Sequence, residues 1–240
     1  GRTLAARLVQ QVAAARRRAT PSWRAAARPV ADPVDVDVLL VRRPGEVDPD
    51  PLVDDLLTGT ARPRRILVGE DGVRPAPARP YDLLWHEAPL GRGLTRNTLL
   101  TRSTAEWLLI LDGGMRASRF LIERFLAAAD GVDVVHCPVA DPVEGLVGAL
   151  PAEERRLGTI PYLGSGYLIR RRLIDALGGW TEDPLLDGLE DHLLWRRIAA
   201  ADHPSALVQQ ILIRRTRPDP APRPVDLDPH RVWAQVVSHL

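Results

Sequence analysis

Three carboxylate sites stand at the borders of apolar runs, and two arginines lie between them. Glu70-Asp71 follows Ile66-Leu67-Val68-Gly69, and Asp112 follows the unbroken run Trp107 to Leu111. Glu190-Asp191 opens the amphipathic run Leu189 to Ala201. Arg92 and Arg96 sit in the glycine-containing stretch Pro89 to Asn97. Carboxylates in such places accept hydrogen bonds, hold cations or take a proton. Guanidinium forks match planar anionic acceptors. Gly113 and Gly114, directly after Asp112, leave room for a group to approach the backbone. On a helical wheel Asp191 falls beside Trp195 and Ile198, so it is partly desolvated, a setting that makes a carboxylate a useful base. The plainer alternatives are a polar turn at Glu70-Asp71 and first-turn acids placed for the helix dipole at Glu190-Asp191.

The elements that must position these groups alternate. Strands are predicted over 34–41, 64–68, 81–86, 107–111, 132–137, 167–170 and 206–213. Helices are predicted over 51–57, 95–104, 171–177 and 189–201. Another runs from a Ser118 cap to Gly131, with Phe120, Leu121, Phe125 and Leu126 on its buried side. Residues 138–163 read as irregular, broken by Pro138, Pro142, Pro151 and Pro161. Alternation of this kind implies a mainly parallel sheet with helices on both faces, and such sheets place ligands at the carboxyl ends of their strands. That edge is where Glu70, Asp71 and Asp112 fall. Residues 1–31 read as an amphipathic Arg/Ala helix, striped by Leu4, Leu8 and Val12, plus a linker. The main domain is expected over 32–217. Residues 218–240 form a Pro-rich tail ending in a short apolar helix.

Composition excludes several classes. A net charge of +1 over 240 residues gives no overall field for nucleic acid. The single cysteine, Cys137, excludes an internal disulfide and a cysteine-based zinc site. No apolar run approaches the ~20 residues needed to span a bilayer, and no signal-peptide core is visible, so the expected compartment is cytoplasmic. Arg16, Arg17 and Arg18 on the first helix would allow peripheral contact with an anionic membrane surface, or the helix packs on the domain. The tail residues Val232, Trp233, Val236 and Val237 dock on the domain or on a second chain, so the oligomeric state is open.

Four segments, in order over roughly 34–215, resemble the family 2 glycosyltransferases. Ile66 to Gly72 resembles that family's strand followed by paired acids and glycine. Gly91 through Arg96-Asn97 resembles its helix-opening glycine, arginine and asparagine. The strand ending at Asp112 resembles the one that ends in the DxD motif. Leu177 to Glu182, then Gly188 to Arg196, resembles its Gly-Gly-aromatic turn and Glu-Asp helix.

The resemblance implies an α/β GT-A fold, a three-layer sandwich around a mostly parallel sheet. It implies an inverting transferase moving sugar from a nucleotide-sugar donor, UDP- or GDP-linked, to a hydroxyl acceptor. It assigns Asp191 as base with Glu190 beside it. Glu70, Asp71, Arg92, Arg96, Asp112 and Gly113 would form the donor site, and Gly164, Ser165, Gly166 and Trp180 the acceptor side, with Trp180 a platform or a core aromatic. It implies Mn²⁺ or Mg²⁺ on Asp112. Here the chain departs from the pattern, because Gly114 stands where the last Asp of DxD would be. Asp112 then holds a metal alone through water, or Arg116 takes part of the neutralisation. Two other readings are a degenerate GT-A domain that binds a nucleotide, peptide or partner without transfer, and a GT-A enzyme of altered chemistry in a natural-product pathway.

Overall fold

The computed structural model describes residues 32–74 and 80–216. The predicted N-terminal helix, and the tail helix after 217, lie outside the described residues. The strands are β1 (Pro33–Arg42), β2 (Arg62–Asp71), β3 (Asp82–His86), β4 (Trp107–Asp112), β5 (Met115–Ala117), β6 (Val134–His136), β7 (Val139–Asp141), β8 (Gly145–Val147), β9 (Tyr167–Arg170), β10 (Ser205–Leu207) and β11 (Ile213–Arg215). The helices are α1 (Asp50–Leu57), α2 (Arg92–Arg102), α3 (Leu121–Ala127), α4 (Glu154–Leu157), α5 (Arg171–Ala176) and α6 (Glu190–Ala200).

Seven strands form the central sheet in the order β10-β6-β9-β4-β1-β2-β3. All pairs are parallel except those made by β9 with β4 and β6. A second sheet, β5-β11-β7-β8, lies beside it in the topology.

Period-two alternation of buried residues makes the layers. Val36, Val38 and Leu40 of β1, with Leu109 and Leu111 of β4, join Leu52, Leu56, Leu121 and Phe125 in one core. Leu39 and Val41, with Leu108 and Ile110, join Leu99, Ile174, Leu194, Trp195 and Ile198 in the other. Every residue of β4 is buried, as the unbroken apolar run requires of a strand covered on both faces.

Parallel register brings the strand-end groups to one edge. Val41 pairs with Gly69 on one side and Asp112 on the other, and Arg42 pairs with Glu70.

The structure corrects four expectations. First, α2 begins at Arg92, not at 95. Its first amide is met by Asp187 Oδ1 at 3.2 Å, a cap 95 residues further along the chain and invisible to local reading. Second, the predicted strand 206–213 is two strands in two sheets. Val208 bonds back to His136, and the chain then crosses to place Ile213 between Ala117 and Val139. Third, the segment 138–163 is not wholly irregular but holds β7, β8 and α4. Fourth, Ser118 does not cap α3 in the expected way, since no side chain caps it. Phe120 and Leu126 are only half-buried beside the fully buried Phe125.

One glycine is fixed by a backbone contact. A Cβ on Gly93 would lie 1.8 Å from the carbonyl oxygen of Thr181. That oxygen belongs to main chain and cannot rotate away. Gly93→Ala is therefore expected to cost about 1–3 kcal/mol or more by forcing α2 off the 180–182 turn. Urea denaturation of the variant against the parent chain measures it, and an unchanged midpoint would refute the close approach.

Candidate active site

Helix α2 carries charge to the sheet edge. Its buried stripe runs Arg92, Thr95, Arg96, Leu99, Leu100. The spacing is that of any amphipathic helix, but its first turn and a half brings guanidinium groups to the end of β4. Arg96 is wholly buried. Its Nη2 donates to Asp112 Oδ1 at 2.6 Å and its Nη1 to Asp191 Oδ1 at 2.8 Å, with Glu190 Oε1 at 3.4 Å. One guanidinium thus joins the strand-end carboxylate to the acid pair of α6. Burial alone would depress its pKa, but Asp191, Asp112 and Glu190 outweigh burial and hold it well above the usual value. Arg92 Nη2 pairs with Glu46, from the loop between β1 and α1, and its Nε lies 3.6 Å from Asp112 Oδ1.

Asp112 is engaged on both oxygens. Its second oxygen accepts from Ser165 Oγ at 2.6 Å. Burial raises its pKa, yet Arg96, Arg92 and the Ser165 hydroxyl pull it well below the carboxylate range. Ser165 stands in the Gly164-Ser165-Gly166 turn. Gly166 donates to the Ile110 carbonyl at 2.9 Å, and a Cβ on Gly164 would meet nothing within 4 Å, so this turn borders open space.

Asp191 Oδ1 also accepts from Tyr167 Oη at 2.9 Å and Trp180 Nε1 at 3.2 Å. Three donors converge on one oxygen of a side chain that is 10% exposed. Trp195 and Ile198, its expected neighbours on the helical wheel, are both fully buried. Glu190 is pushed up to about 7, by burial first and by Asp191 as well, against the pull of Arg96. Its Oε2 accepts from the Gly188 amide at 2.6 Å.

Several sequence-derived roles look different in place. Asp71 is fully buried, and its two oxygens accept from the amides of Leu90 and Gly91 at 2.7 and 3.0 Å. It builds the loop leading into α2. Glu70 pairs with Arg42 at 3.3 Å at the outer end of the same edge. Trp180 is only 2% exposed, so it offers no open platform. Its indole nitrogen serves Asp191, and Arg96 lies 5.6 Å from its ring centre. Asn97 holds the Trp180 backbone through its N–H and its carbonyl at 2.9 Å each. Arg116 is not in the site. It forks onto Asp55 at 2.6 and 2.7 Å.

Three residues were missed. Glu46 looks like any loop acid, Tyr167 like any strand aromatic, and Asp187 like a turn residue. Asp187 caps α2 and pairs with Arg43 at 2.7 Å. Only their partners, 24 to 95 residues away, reveal them.

The donor set suits a divalent ion poorly. Mn²⁺ and Mg²⁺ seek several oxygens in an open shell. Both Asp112 oxygens are engaged, Gly114 supplies none, and two guanidinium groups stand against Asp112. Among the described residues no group of three or more His, Cys, Asp or Glu could hold a metal.

No family model and no curated protein matches the sequence. Solved structures match in shape. Residues 1–349 of S. aureus TarS in complex with UDP-GlcNAc give a TM-score of 0.67 at 15% identity, covering 85% of this chain and 66% of that one. The same protein with UDP gives 0.65 at 15% identity, covering 85% and 64%. Glucosyl-3-phosphoglycerate synthase from Mycobacterium tuberculosis, with Mn²⁺, UDP and phosphoglyceric acid, gives 0.58 at 17% identity, covering 85% and 78%. The chain spans a little under two-thirds of the TarS length it matches. Among the described residues no helix is long and apolar enough to cross a membrane. The likeness in shape and the mostly parallel seven-stranded sheet show that the chain has the GT-A glycosyltransferase fold.

Proposed function

We propose that this chain is an inverting glycosyltransferase domain that moves a sugar from a uridine-diphosphate donor to a hydroxyl acceptor. The observation that carries the reading is the presentation of Asp191. Arg96, Tyr167 and Trp180 fix one of its oxygens, and the side chain keeps 10% of its surface exposed. A base held this way keeps one orientation through the reaction.

The chemistry follows from that geometry. The acceptor hydroxyl attacks the anomeric carbon and gives its proton to Asp191 Oδ2. The bond from the anomeric carbon to the diphosphate oxygen breaks in the same displacement, and the configuration inverts. Arg92 and Arg96 supply positive charge on the donor side, where negative charge grows on the leaving group. Tyr167 and Trp180 act through Asp191 and are positioning residues. Glu70, buried and paired with Arg42, takes the base or ribose only if Arg42 releases it. Gly164 and Ser165 border the acceptor side. UDP is favoured over GDP because the TarS and synthase neighbours were solved with UDP or UDP-GlcNAc.

A GT-A domain that binds without transferring sugar is the second reading. The closed network around Asp112 favours it. The two separate on one measurement, the release of UDP from UDP-sugars in the presence of hydroxyl acceptors. Asp191→Asn keeps the shape and most donors but removes the base, so turnover is expected to fall by about 10²–10⁴-fold with UDP affinity little changed. Turnover that survives the substitution would remove Asp191 from the mechanism. A parent chain that binds UDP and turns over no UDP-sugar would favour the binding domain.

A further inference from the structure

We propose that the donor site is closed by its own carboxylate, Glu46, and that a nucleoside diphosphate binds by displacing Glu46 from Arg92 without a divalent cation. The inference rests on the nucleotide-sugar reading above and concerns the same site.

Glu46 lies in the loop that joins β1 to α1. Its side chain is 6% exposed. One carboxylate oxygen pairs with Arg92 Nη2, and the other accepts from the Arg43 amide at 3.0 Å. The group rests on the turn after Asp112. A Cβ on Gly113 would lie 2.9 Å from Glu46 Oε2, and one on Gly114 would lie 3.8 Å from Val47 Cγ2. The loop therefore covers the two residues that follow the strand-end carboxylate. A carboxylate oxygen paired with a guanidinium nitrogen has the charge of a phosphate oxygen on the same group. Glu46 stands where an anionic ligand of Arg92 would stand.

Charge decides what must move. Arg92 and Arg96 face four carboxylates, those of Glu46, Asp112, Glu190 and Asp191. A diphosphate added to this set without any departure would meet an excess of negative charge in a buried place. Three of the four acids are fixed by β4, by α6 and by Arg96. Glu46 alone sits on a loop, turned by Gly45 at φ 85° and tied to the rest through Arg43 and Asp187. Its departure into water costs least and frees Arg92 for phosphate oxygens.

A divalent ion has the opposite problem. On Asp112 it would sit beside Arg96, which holds Oδ1 at 2.6 Å. Like charges this close repel, and a divalent ion meets twice the repulsion that a monovalent one would. Arg96 is fully buried and has no solvent to turn to.

The test is calorimetric titration of UDP and GDP into the chain with chelator and again with Mn²⁺, for the parent protein and for Glu46→Gln and Glu46→Ala. The proposal expects the same dissociation constant with chelator and with Mn²⁺, within about twofold, and about tenfold tighter binding in both variants. Binding that needs Mn²⁺ overturns the metal-free site. Variants that bind no tighter than the parent overturn the displacement of Glu46. No binding of either nucleotide, by any protein in either condition, brings down the nucleotide-sugar reading itself and this proposal with it.

Discussion

Arg96→Met is expected to cost about 3–5 kcal/mol at neutral pH, the range seen when one partner of a buried ion pair is removed. The guanidinium is the shared partner of Asp112, Asp191 and Glu190. Methionine fills much of the volume of the arginine stem, so the loss is electrostatic and not a cavity. The sign of the pH dependence distinguishes the two causes. Asp112 is held well below the usual carboxylate range, with Arg96 the largest of the groups that lower it against the cost of burial. A depressed folded-state pKa contributes stability that is present above the unfolded value and lost as pH falls through the folded one. In the variant the same acids are buried without that partner, so burial raises them and they take up protons as pH falls; its deficit should be largest near pH 7 and shrink toward pH 4, while Asp112 of the parent stays ionised. A cavity would give a deficit independent of pH. The measurement is a set of urea midpoints between pH 4 and 8. Adding Asp112→Asn and Asp191→Asn to Arg96→Met should recover much of the stability at pH 7, because the acids are no longer left charged and unpaired. A triple variant as weak as the single one would mean that the network is not held by charge.

The layers and the site differ in how far a local reading reaches. Val38 to Val41 and Trp107 to Leu111 announce themselves as buried strands through unbroken apolar character, and parallel register brings Asp112 level with Val41 at one edge. The Glu190-Asp191 pair is legible because 191, 194, 195 and 198 form one stripe of the helix, all of it buried. What sequence reading does not carry is pairing. Nothing near Glu46 says that it reaches Arg92, and nothing near Tyr167 says that its hydroxyl meets Asp191. Trp180 shows the limit most clearly. An aromatic after two glycines fits an open platform and a core residue equally, and only the 2.9 Å hold of Asn97 on its backbone and the turn of its indole toward Asp191 decide. The second sheet was lost because apolar runs record burial and not which sheet does the burying. Ile213 would read the same in either.

Glu190→Gln should flatten one limb of the stability profile, and this limb can be isolated although other buried groups titrate nearby. Glu190 has an ordinary value of 4.5 and rises to about 7 in the folded chain, because burial and the adjacent Asp191 outweigh the attraction of Arg96. A carboxyl raised on folding binds more protons in the native state between those two values. Stability must therefore fall as pH rises from 4.5 through about 7. The gap is worth about 3 kcal/mol as an order of magnitude. His136 and His192 work in the other direction. Burial lowers each to about 4 from an ordinary 6.5, so the unfolded chain binds more protons between those values and stability rises with pH there. In the parent chain the two slopes oppose each other below pH 6.5, and only the loss from Glu190 continues above it. In Glu190→Gln the histidine slope stands alone and the curve levels off. Subtracting the two curves removes the histidines. The difference, variant minus parent, is expected to climb by about 2–3 kcal/mol between pH 5 and pH 8. A difference that stays constant over that range would mean that Glu190 is ionised throughout, with Arg96 winning over burial. The acid pair would then carry two full negative charges at neutral pH, and Arg96 could not balance both together with Asp112. The pH at which the difference is half complete therefore reports the charge that the donor side presents to an incoming diphosphate.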